Sequence, residues 1–434
     1  MSLLRLLVEH PSSSEDPLVH TLDRSLTKGE VLAAVEARAG DFSGLRGQLS
    51  PVVADGVEAL IAMFACFRAG AVYVPINPRQ PQAAVDDITR AMPEVASPPD
   101  AAFVLWTSGT TGRPKPVVHT HDGYIEIIDR VLEPLRAKPK DPARPPSPNL
   151  IPVSMALNAG IFNALFGLRA GARLVMMDGF DTAAFAMLVK RHQIRSTVLP
   201  PAAIAMLSDD ASIESLAPLR YVRSITAPLS PFQTRRFTDR FGVTVLNGYG
   251  QAEVGEVIGW TADDARMHPG KLGAIGRPHP GVAIDIDDPD SDGVGELLVK
   301  PPSTAADLDP RRLTAGGFVR TGDLARIDGD GFVWLEGRLS DLINRGGHKV
   351  FPSEVEEVLV AVPGIREAAV VGAPDSRLGE VPVAFVVGET DSDLGEVCRQ
   401  HLVAYKVPVR FEFLDRLPRS ETGKVLRREL VAQP

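Results

Sequence analysis

Cysteine is almost absent from this chain: Cys66 and Cys398 are its two cysteines in 434 residues, and neither stands in a CxxC or Cys/His pattern. A disulfide framework and a zinc cluster are therefore excluded as the basis of the fold, and both thiols are expected to be reduced and packed. No run of about 18 apolar residues occurs, and the first residues, MSLLRLL, hold too short an apolar stretch for a secretory signal. These absences predict a cytoplasmic protein without a membrane contact.

An excess of basic residues is lacking as well. The chain has 46 Lys and Arg against 55 Asp and Glu, which gives a formal net charge of −9. Binding along a nucleic-acid backbone needs clustered cations, so no nucleic-acid partner is expected. The hydrophobic share of 44% and the charged share of 23% are those of an ordinary globular protein with room for two or three cores.

Helical and strand patterns alternate along the chain. Apolar residues recur at helical spacing over 57–69 and are followed by a buried strand pattern over 71–75, and the same alternation returns at 182–191 and 196–199. Because strands that alternate with helices form layered sheets, the fold class predicted is α/β, with a large layered N-terminal domain.

A dense Gly/Asp turn region at Arg338 to Asp341 predicts a domain boundary, with an N-terminal domain over 1–339 and a small α+β domain over 340–434. In the second domain, Ser353 and Glu356 have the spacing of a capping box, which predicts a helix through Val360.

A segment rich in glycine and hydroxyl groups, TSGTTGRPK, follows the apolar strand pattern of 102–106. Its glycines would let backbone N–H groups approach phosphate oxygens, while the hydroxyls donate and the lysine supplies charge. The spacing is not that of the common P-loop, because the lysine comes three residues after the last glycine and follows a proline. The phosphate contacts predicted here are Thr107, Ser108, Gly109, Thr110, Thr111, Gly112 and Lys115.

A second segment of similar character, RSETGK, ends at Lys424 near the C-terminus. Two separate segments that each offer hydroxyls, glycine and a lysine to an anion favour chemistry on ATP.

These two segments, with the stretches between them, resemble the acyl-adenylate-forming (AMP-binding) superfamily, and most of all a compact acyl- or aryl-CoA synthetase. The matching stretches occur in the family's order and cover most of the chain: GAVYVPINPR from Gly70, the phosphate segment, NGYGQAE from Asn247, GELLV from Gly295, RTGD from Arg320, and GRLSDLINRGGHKVFPSEVEEV from Gly337, before PRSETGK.

The resemblance implies that a carboxylate attacks the α-phosphorus of ATP, that pyrophosphate leaves, and that a thiol then displaces AMP. It implies ATP, Mg²⁺ and CoA as cofactors and co-substrates. The catalytic residues implied are Lys424, Glu253 and Arg338, with Glu253 and Thr110 at the metal. Asp323 would accept hydrogen bonds from the ribose hydroxyls. The other nucleotide contacts implied are Thr226, Ala227, Pro228, Asn247, Gly248, Tyr249 (against the adenine) and Gly250.

The resemblance also implies a mobile C-terminal domain that rotates about a hinge residue between the two reactions. The hinge position is Ser340, where the family usually has Asp or Lys. After rotation, Gly346, Gly347 and His348 would line the tunnel for the thiol.

The acid is less defined than the nucleotide. Where the family often has Pro-x-x-His, this chain has Pro152 to Met155, and no Asp stands there to hold an amino group. An aliphatic, alicyclic or aromatic carboxylate is therefore favoured over an α-amino acid. The acyl-pocket residues predicted are Met155, Asn158, Asn247 and Gly248.

Several departures keep alternatives open. Ala252 replaces a family threonine, Ile225 replaces a glycine, and the chain is short before the phosphate segment and around 299–318. Together with Ser340, they motivate one alternative, a degenerate nucleotide-binding protein without turnover. The other alternative, an adenylating enzyme that loads a separate carrier protein, stays open because this chain has no carrier-protein serine motif of its own. A homodimer is possible on either reading.

Overall fold

The computed structural model describes residues 2–108, 114–136, 146–225, 227, 229, 231–419 and 425–431. The helices lie on both sides of a series of sheets, and their bounds are α1 Arg5–Val8, α2 Lys28–Ala39, α3 Gly56–Ala69, α4 Gln82–Ala91, α5 His121–Arg136, α6 Asn158–Arg169, α7 Thr182–Arg191, α8 Pro201–Asp209, α9 Pro231–Phe241, α10 Ala262–Met267, α11 Pro352–Val360, α12 Leu394–His401 and α13 Arg427–Val431.

The strands of the N-terminal part are β1 Pro17–His20, β2 Ser25–Thr27, β3 Leu49–Val53, β4 Val72–Ile76, β5 Ala101–Ser108, β6 Pro114–Thr120, β7 Asn149–Ile151, β8 Leu174–Met176, β9 Ser196–Leu199, β10 Tyr221–Ser224, β11 Thr244–Asn247, β12 Tyr249–Gln251, β13 Gly255–Gly259, β14 Arg277–Pro278, β15 Ala283–Asp287, β16 Gly295–Lys300, β17 Val319–Ile327 and β18 Val333–Arg338. Those that follow are β19 Ile343–Arg345, β20 His348–Val350, β21 Ile365–Asp375, β22 Gly379–Gly388 and β23 Arg410–Phe413.

Two sheets with parallel pairing dominate the N-terminal domain. Among the described residues, a seven-stranded sheet has the order β11-β10-β9-β7-β8-β1-β2, and a four-stranded sheet has the order β3-β4-β5-β6. Two further sheets, β12-β13-β14 and β15-β16-β17-β18, are antiparallel. This mixed α/β architecture confirms the predicted fold class.

Helix α3 shows how the sequence builds the core. Asp55 caps its first turn by accepting a hydrogen bond from the Gly56 N–H, and Gly70 ends it in the left-handed conformation at φ +74°. The helix is buried on almost every face, as its nearly continuous apolar sequence predicts, and it packs in one cluster with residues of α2, α5 and α6.

The smaller C-terminal domain has its own sheet, β20-β19-β22-β21, with β23 paired to β22. Its two core clusters draw only on residues from Ile343 onward. The exact boundary between 339 and 340 stays a prediction.

The predicted capping box at the start of α11 is wrong. The helix does run through Val360, but its N-cap is Phe351, which makes no side-chain cap. The Ser353 hydroxyl donates instead to the carbonyl of Glu336 at 2.7 Å, and Glu356 accepts hydrogen bonds from Arg427 and from the Val370 N–H. Contacts distant in sequence therefore take both side chains away from the local pattern.

The two cysteines are free and buried, as predicted. Burial raises the pKa of Cys66 to about 12 and that of Cys398 to about 11. Within the part of the chain that the structure describes, no helix is long and apolar enough to cross a membrane.

Candidate functional site

The RTGD stretch lies within strand β17 and forms one side of the candidate site. Antiparallel pairing of β17 with β18 places Asp323 directly opposite Arg338, and side chains directly opposite each other lie within reach. The Arg338 Nε donates to Asp323 Oδ1 at 2.7 Å. Asp323 is 5% exposed, so this charge-assisted bond compensates for much of the cost of burying a carboxylate.

The second oxygen of Asp323 accepts from the NGYGQAE stretch. Tyr249 donates its hydroxyl to Asp323 Oδ2 at 2.6 Å, and Gln251 donates to the same oxygen at 3.0 Å and to the carbonyl of Thr321 at 2.8 Å. Burial, together with the neighbouring Asp323 charge, raises the pKa of Tyr249 well above its usual value, so its hydroxyl remains a donor. Two distant stretches of the sequence thus meet at one carboxylate.

Glu253 and Gln251 share a partner that the sequence did not indicate. Arg312 donates to Glu253 Oε1 and to Gln251 Oε1, both at 2.6 Å, and its Nε and Nη2 also donate to the carbonyl of Arg320. No local motif surrounds Arg312, whereas Gln251 lies inside a motif and could have been found there.

Strands β5 and β6 form an antiparallel hairpin on either side of the phosphate segment. They pair up to Ser108 and Pro114, and residues 109–113 lie outside the described residues. Thr107 donates its hydroxyl to the Lys115 carbonyl at 3.3 Å, and Lys115 is exposed. This hairpin therefore presents an exposed lysine near the start of β6, at the end of the phosphate segment in sequence.

Several predicted site residues lie outside the described residues, and their placement stays a prediction. These are Gly109, Thr110, Thr111, Gly112, Thr226, Pro228 and Lys424. Ala227 is half-buried.

The predicted acyl-pocket residues fall into two groups. Met155 is fully buried in the main core, and its N–H donates to Asp55 at 2.8 Å, while Asn158 accepts from the buried Tyr124 hydroxyl at 2.7 Å. Asn247 ends β11, and Gly248 donates its N–H to the Ser224 carbonyl at 2.9 Å. The pocket assignment itself stays a prediction.

A polar cluster of Glu256, Arg223 and His279 lies next to Gly248. A Cβ atom added at Gly248 would lie 3.3 Å from Glu256 Oε1, and Glu256 pairs with Arg223 and with His279, whose Nε2 lies 3.1 Å away. Burial, with the nearby Arg223 and Arg130 charges, lowers the pKa of His279 to about 3, so this imidazole is neutral. The sequence analysis did not identify these residues.

The predicted hinge and tunnel residues lie at the start of the C-terminal domain. The Ser340 hydroxyl donates to Asp341 at 3.0 Å. Gly346 and Gly347 have φ of +60° and +91°, a conformation that favours glycine, and His348 stacks on Tyr405 with ring centroids 4.5 Å apart. Asp341 also pairs with Arg427 of α13 at 3.4 Å, which connects the hinge region to the segment that follows Lys424.

The described residues contain no group of three or more His, Cys, Asp or Glu side chains able to hold a metal ion. Glu253 nevertheless offers the hard oxygen donor that Mg²⁺ prefers, and Mg²⁺ is usually held by one or two carboxylates together with substrate phosphates and water.

Known proteins resemble this chain both in sequence and in fold. The chain matches the AMP-binding enzyme family over residues 86–307 and the AMP-binding enzyme C-terminal domain family over residues 354–424. It is 33% identical to the sulfoacetate–CoA ligase of Cupriavidus necator, over 82% of this chain and 73% of that protein. It is 30% identical to the fatty acid–[acyl-carrier-protein] ligase ScoC of Streptomyces coeruleorubidus, over 79% of this chain and 69% of that protein.

Among solved structures, ATP-bound MatB from Rhodopseudomonas palustris superposes with a TM-score of 0.85 at 23% identity, over 99% of this chain and 98% of MatB. At that identity the likeness shows the fold alone.

Proposed function

Since the chain belongs to the AMP-binding enzyme family, we propose that it activates a carboxylic acid with ATP through an acyl-AMP, releases pyrophosphate, and transfers the acyl group to CoA. The observation that carries this proposal is the network in which Asp323 accepts from Arg338, Tyr249 and Gln251. Such a network holds a buried carboxylate where a sugar hydroxyl can reach it.

In the first reaction, a carboxylate oxygen of the acid forms a bond to the α-phosphorus of ATP, and the bond to pyrophosphate breaks. Two anions must approach each other, so charge neutralisation accounts for most of the rate gain. Lys424, Lys115 and Arg338 supply positive charge, and the backbone N–H groups of the phosphate segment donate to phosphate oxygens. Glu253 and Thr110 would hold Mg²⁺, which when bound supplies further neutralisation of the phosphates.

In the second reaction, the thiol sulfur of CoA bonds to the acyl carbon, and AMP leaves with the oxygen that the acid contributed. The C-terminal domain rotates about Ser340 between the two reactions, which takes Lys424 out and brings Gly346, Gly347 and His348 to the thiol. A hinge residue only has to absorb a change in backbone dihedral angles, so a serine can serve.

The test is pyrophosphate release with ATP and Mg²⁺ across a panel of aliphatic, alicyclic and aromatic acids, with and without CoA. The panel includes sulfoacetate, because that acid is named for a relative at 33% identity. Release with one class of acid, accelerated by CoA, is the expected result. Measurable ATP binding without release from any acid would instead support a nucleotide-binding protein without turnover.

A carrier protein is the second candidate acceptor. The observation that favours it is the relative named as a fatty acid–[acyl-carrier-protein] ligase. On this reading pyrophosphate release does not respond to CoA, and the acyl group is transferred to a phosphopantetheinylated carrier protein added to the same assay.

A further inference from the structure

Arg312 binds two side chains of the NGYGQAE stretch, and one of them, Glu253, is the proposed ligand of Mg²⁺. Its Nη1 donates to Glu253 Oε1 and its Nη2 to Gln251 Oε1, both at 2.6 Å. The Arg312 and Glu253 side chains are each 27% exposed, so this ion pair lies at the surface of the site and not deep in the core.

The segment that carries Arg312 connects two parts of the site. We call residues 303–312 the strap. Within it, Ala305 donates its N–H to the Glu253 carbonyl at 2.6 Å, and Ala306 donates its N–H to the Val118 carbonyl at 2.8 Å. The Val118 N–H in turn donates to Asp307 Oδ1 at 2.8 Å. The strap therefore fixes Arg312 between the Glu253 stretch and the hairpin that carries the phosphate segment.

The contacts of Arg312 divide into a fixed part and a movable part. The Arg320 carbonyl accepts from both Nε and Nη2, at 3.1 and 2.9 Å, and this backbone contact orients the stem of the side chain. Gln251 belongs to the fixed part as well, because its amide also donates to Asp323 and to the Thr321 carbonyl. Glu253 is the movable partner, a half-buried side chain that can adopt other rotamers. A guanidinium in this position can exchange a carboxylate for a phosphate, because its planar donors match both groups.

We propose that Arg312 is a triphosphate-binding residue, which Glu253 holds in place before ATP arrives and which moves to the β- and γ-phosphates when Glu253 turns to Mg²⁺. This proposal rests on the proposed function only in placing the triphosphate beside Glu253. On this proposal, the shortened segment between β16 and β17 has a function in binding, because its strap positions a cation at the phosphates.

The experiment measures equilibrium binding by calorimetry, with Mg·ATP and with AMP as separate ligands, so no turnover is needed. Arg312→Gln should weaken Mg·ATP binding by about tenfold or more, the effect of losing a charge-assisted hydrogen bond, and should leave AMP binding within about twofold of the wild type. Arg312→Lys retains the charge without the planar donors, so its affinity for Mg·ATP should lie between those of the wild type and Arg312→Gln.

The matched control is Arg311→Gln. Arg311 is adjacent in sequence, but its side chain is 90% exposed and pairs with Asp309. This variant should bind both nucleotides as the wild type does.

Equal weakening of Mg·ATP and AMP in Arg312→Gln, together with a lower unfolding temperature, would show that Arg312 only stabilises the local fold, and would overturn the proposal. Unchanged Mg·ATP binding would overturn it too. Wild-type protein that binds Mg·ATP through Arg312 but releases no pyrophosphate with any acid would remove the proposed function and leave this proposal standing.

Discussion

On the nucleotide side of the candidate site, the side chains form hydrogen bonds with one another. On the predicted acyl side, the residues contact the buried core instead. On the nucleotide side, Asp323 accepts from Arg338, Tyr249 and Gln251. On the acyl side, Met155 has no exposed surface and Asn158 is hydrogen-bonded to a buried tyrosine.

We attribute this difference to what each side is proposed to bind. A nucleotide is the same for every acid that is activated, so its contacts can be fixed in advance by a network of side chains. Acyl specificity depends on the shape of the space between core residues, where a change to one residue alters its neighbours. We therefore expect substitutions on the nucleotide side to change binding and rate, and those on the acyl side to change specificity and stability together.

The largest effect is expected from Lys424→Ala, which removes the cation that we propose for adenylate formation. Adenylate formation should fall by about 10²- to 10³-fold, the usual loss when one donor at a developing charge is removed. Thioester formation from supplied acyl-AMP should be largely unchanged if Lys424 acts only in the first reaction, as we propose. Pyrophosphate release and acyl-CoA formation are measured separately, with the surface substitution Lys190→Ala as control. Equal loss in both reactions would contradict this role.

The next effect is expected from Asp323→Ala. Loss of the bonds to the ribose should weaken ATP binding by about 1.5–3 kcal/mol for each charge-assisted bond. Asp328→Asn is the matched control, since Asp328 follows the same strand but binds Lys271 and Trp334 away from the site. If calorimetry finds the same ATP affinity in the Asp323 variant as in the wild type, Asp323 does not contact the ribose.

A smaller effect, on stability, is expected from lowering the pH. Burial lowers the pKa of His119 from 6.5 to about 4, so between these values the unfolded chain binds more protons than the folded one. The free energy of unfolding should therefore fall as the pH is lowered from 6.5 to about 4, by up to about 1.4 kcal/mol per pH unit from this group. Urea unfolding at a series of pH values measures this, and the slope of the free energy of unfolding against pH should be shallower for His119→Asn than for the wild type. An unchanged slope in the His119 variant would exclude it as the cause.

The smallest effect on stability is expected from Met155→Leu, which conserves volume and should cost less than about 1.5 kcal/mol. If the acyl side does depend on core shape, the preference among acids should shift even so. The relative rates of pyrophosphate release across the acid panel measure this shift. An unchanged profile would show that Met155 is a core residue only, and would weaken the contrast between the two sides.

Sequence patterns predicted the elements best where the local signal and the tertiary contacts agree. Helix α7 has the predicted bounds of 182–191, because apolar spacing and the Asp181 cap act on the same residues. The capping box of α11 failed because Arg427, 71 residues from Glu356, binds that carboxylate in the fold.

The same reasoning applies to the site. Asp323, Arg338 and Tyr249 come together from separate motifs, as a shared ligand requires. Arg312 could not be predicted, since its role depends on strap contacts to Glu253 and Val118 that no spacing in the sequence records.

The most direct test of acid activation through an acyl-AMP is the fate of the acid's oxygen. An acid found by the panel is labelled with ¹⁸O in its carboxylate and incubated with the protein, ATP, Mg²⁺ and CoA, and the AMP is then examined by mass spectrometry. One ¹⁸O atom in AMP is the predicted result, because the oxygen that attacks the α-phosphorus stays on it when the thiol displaces AMP. Unlabelled AMP would contradict the account, since the acid would then never have been joined to the α-phosphate.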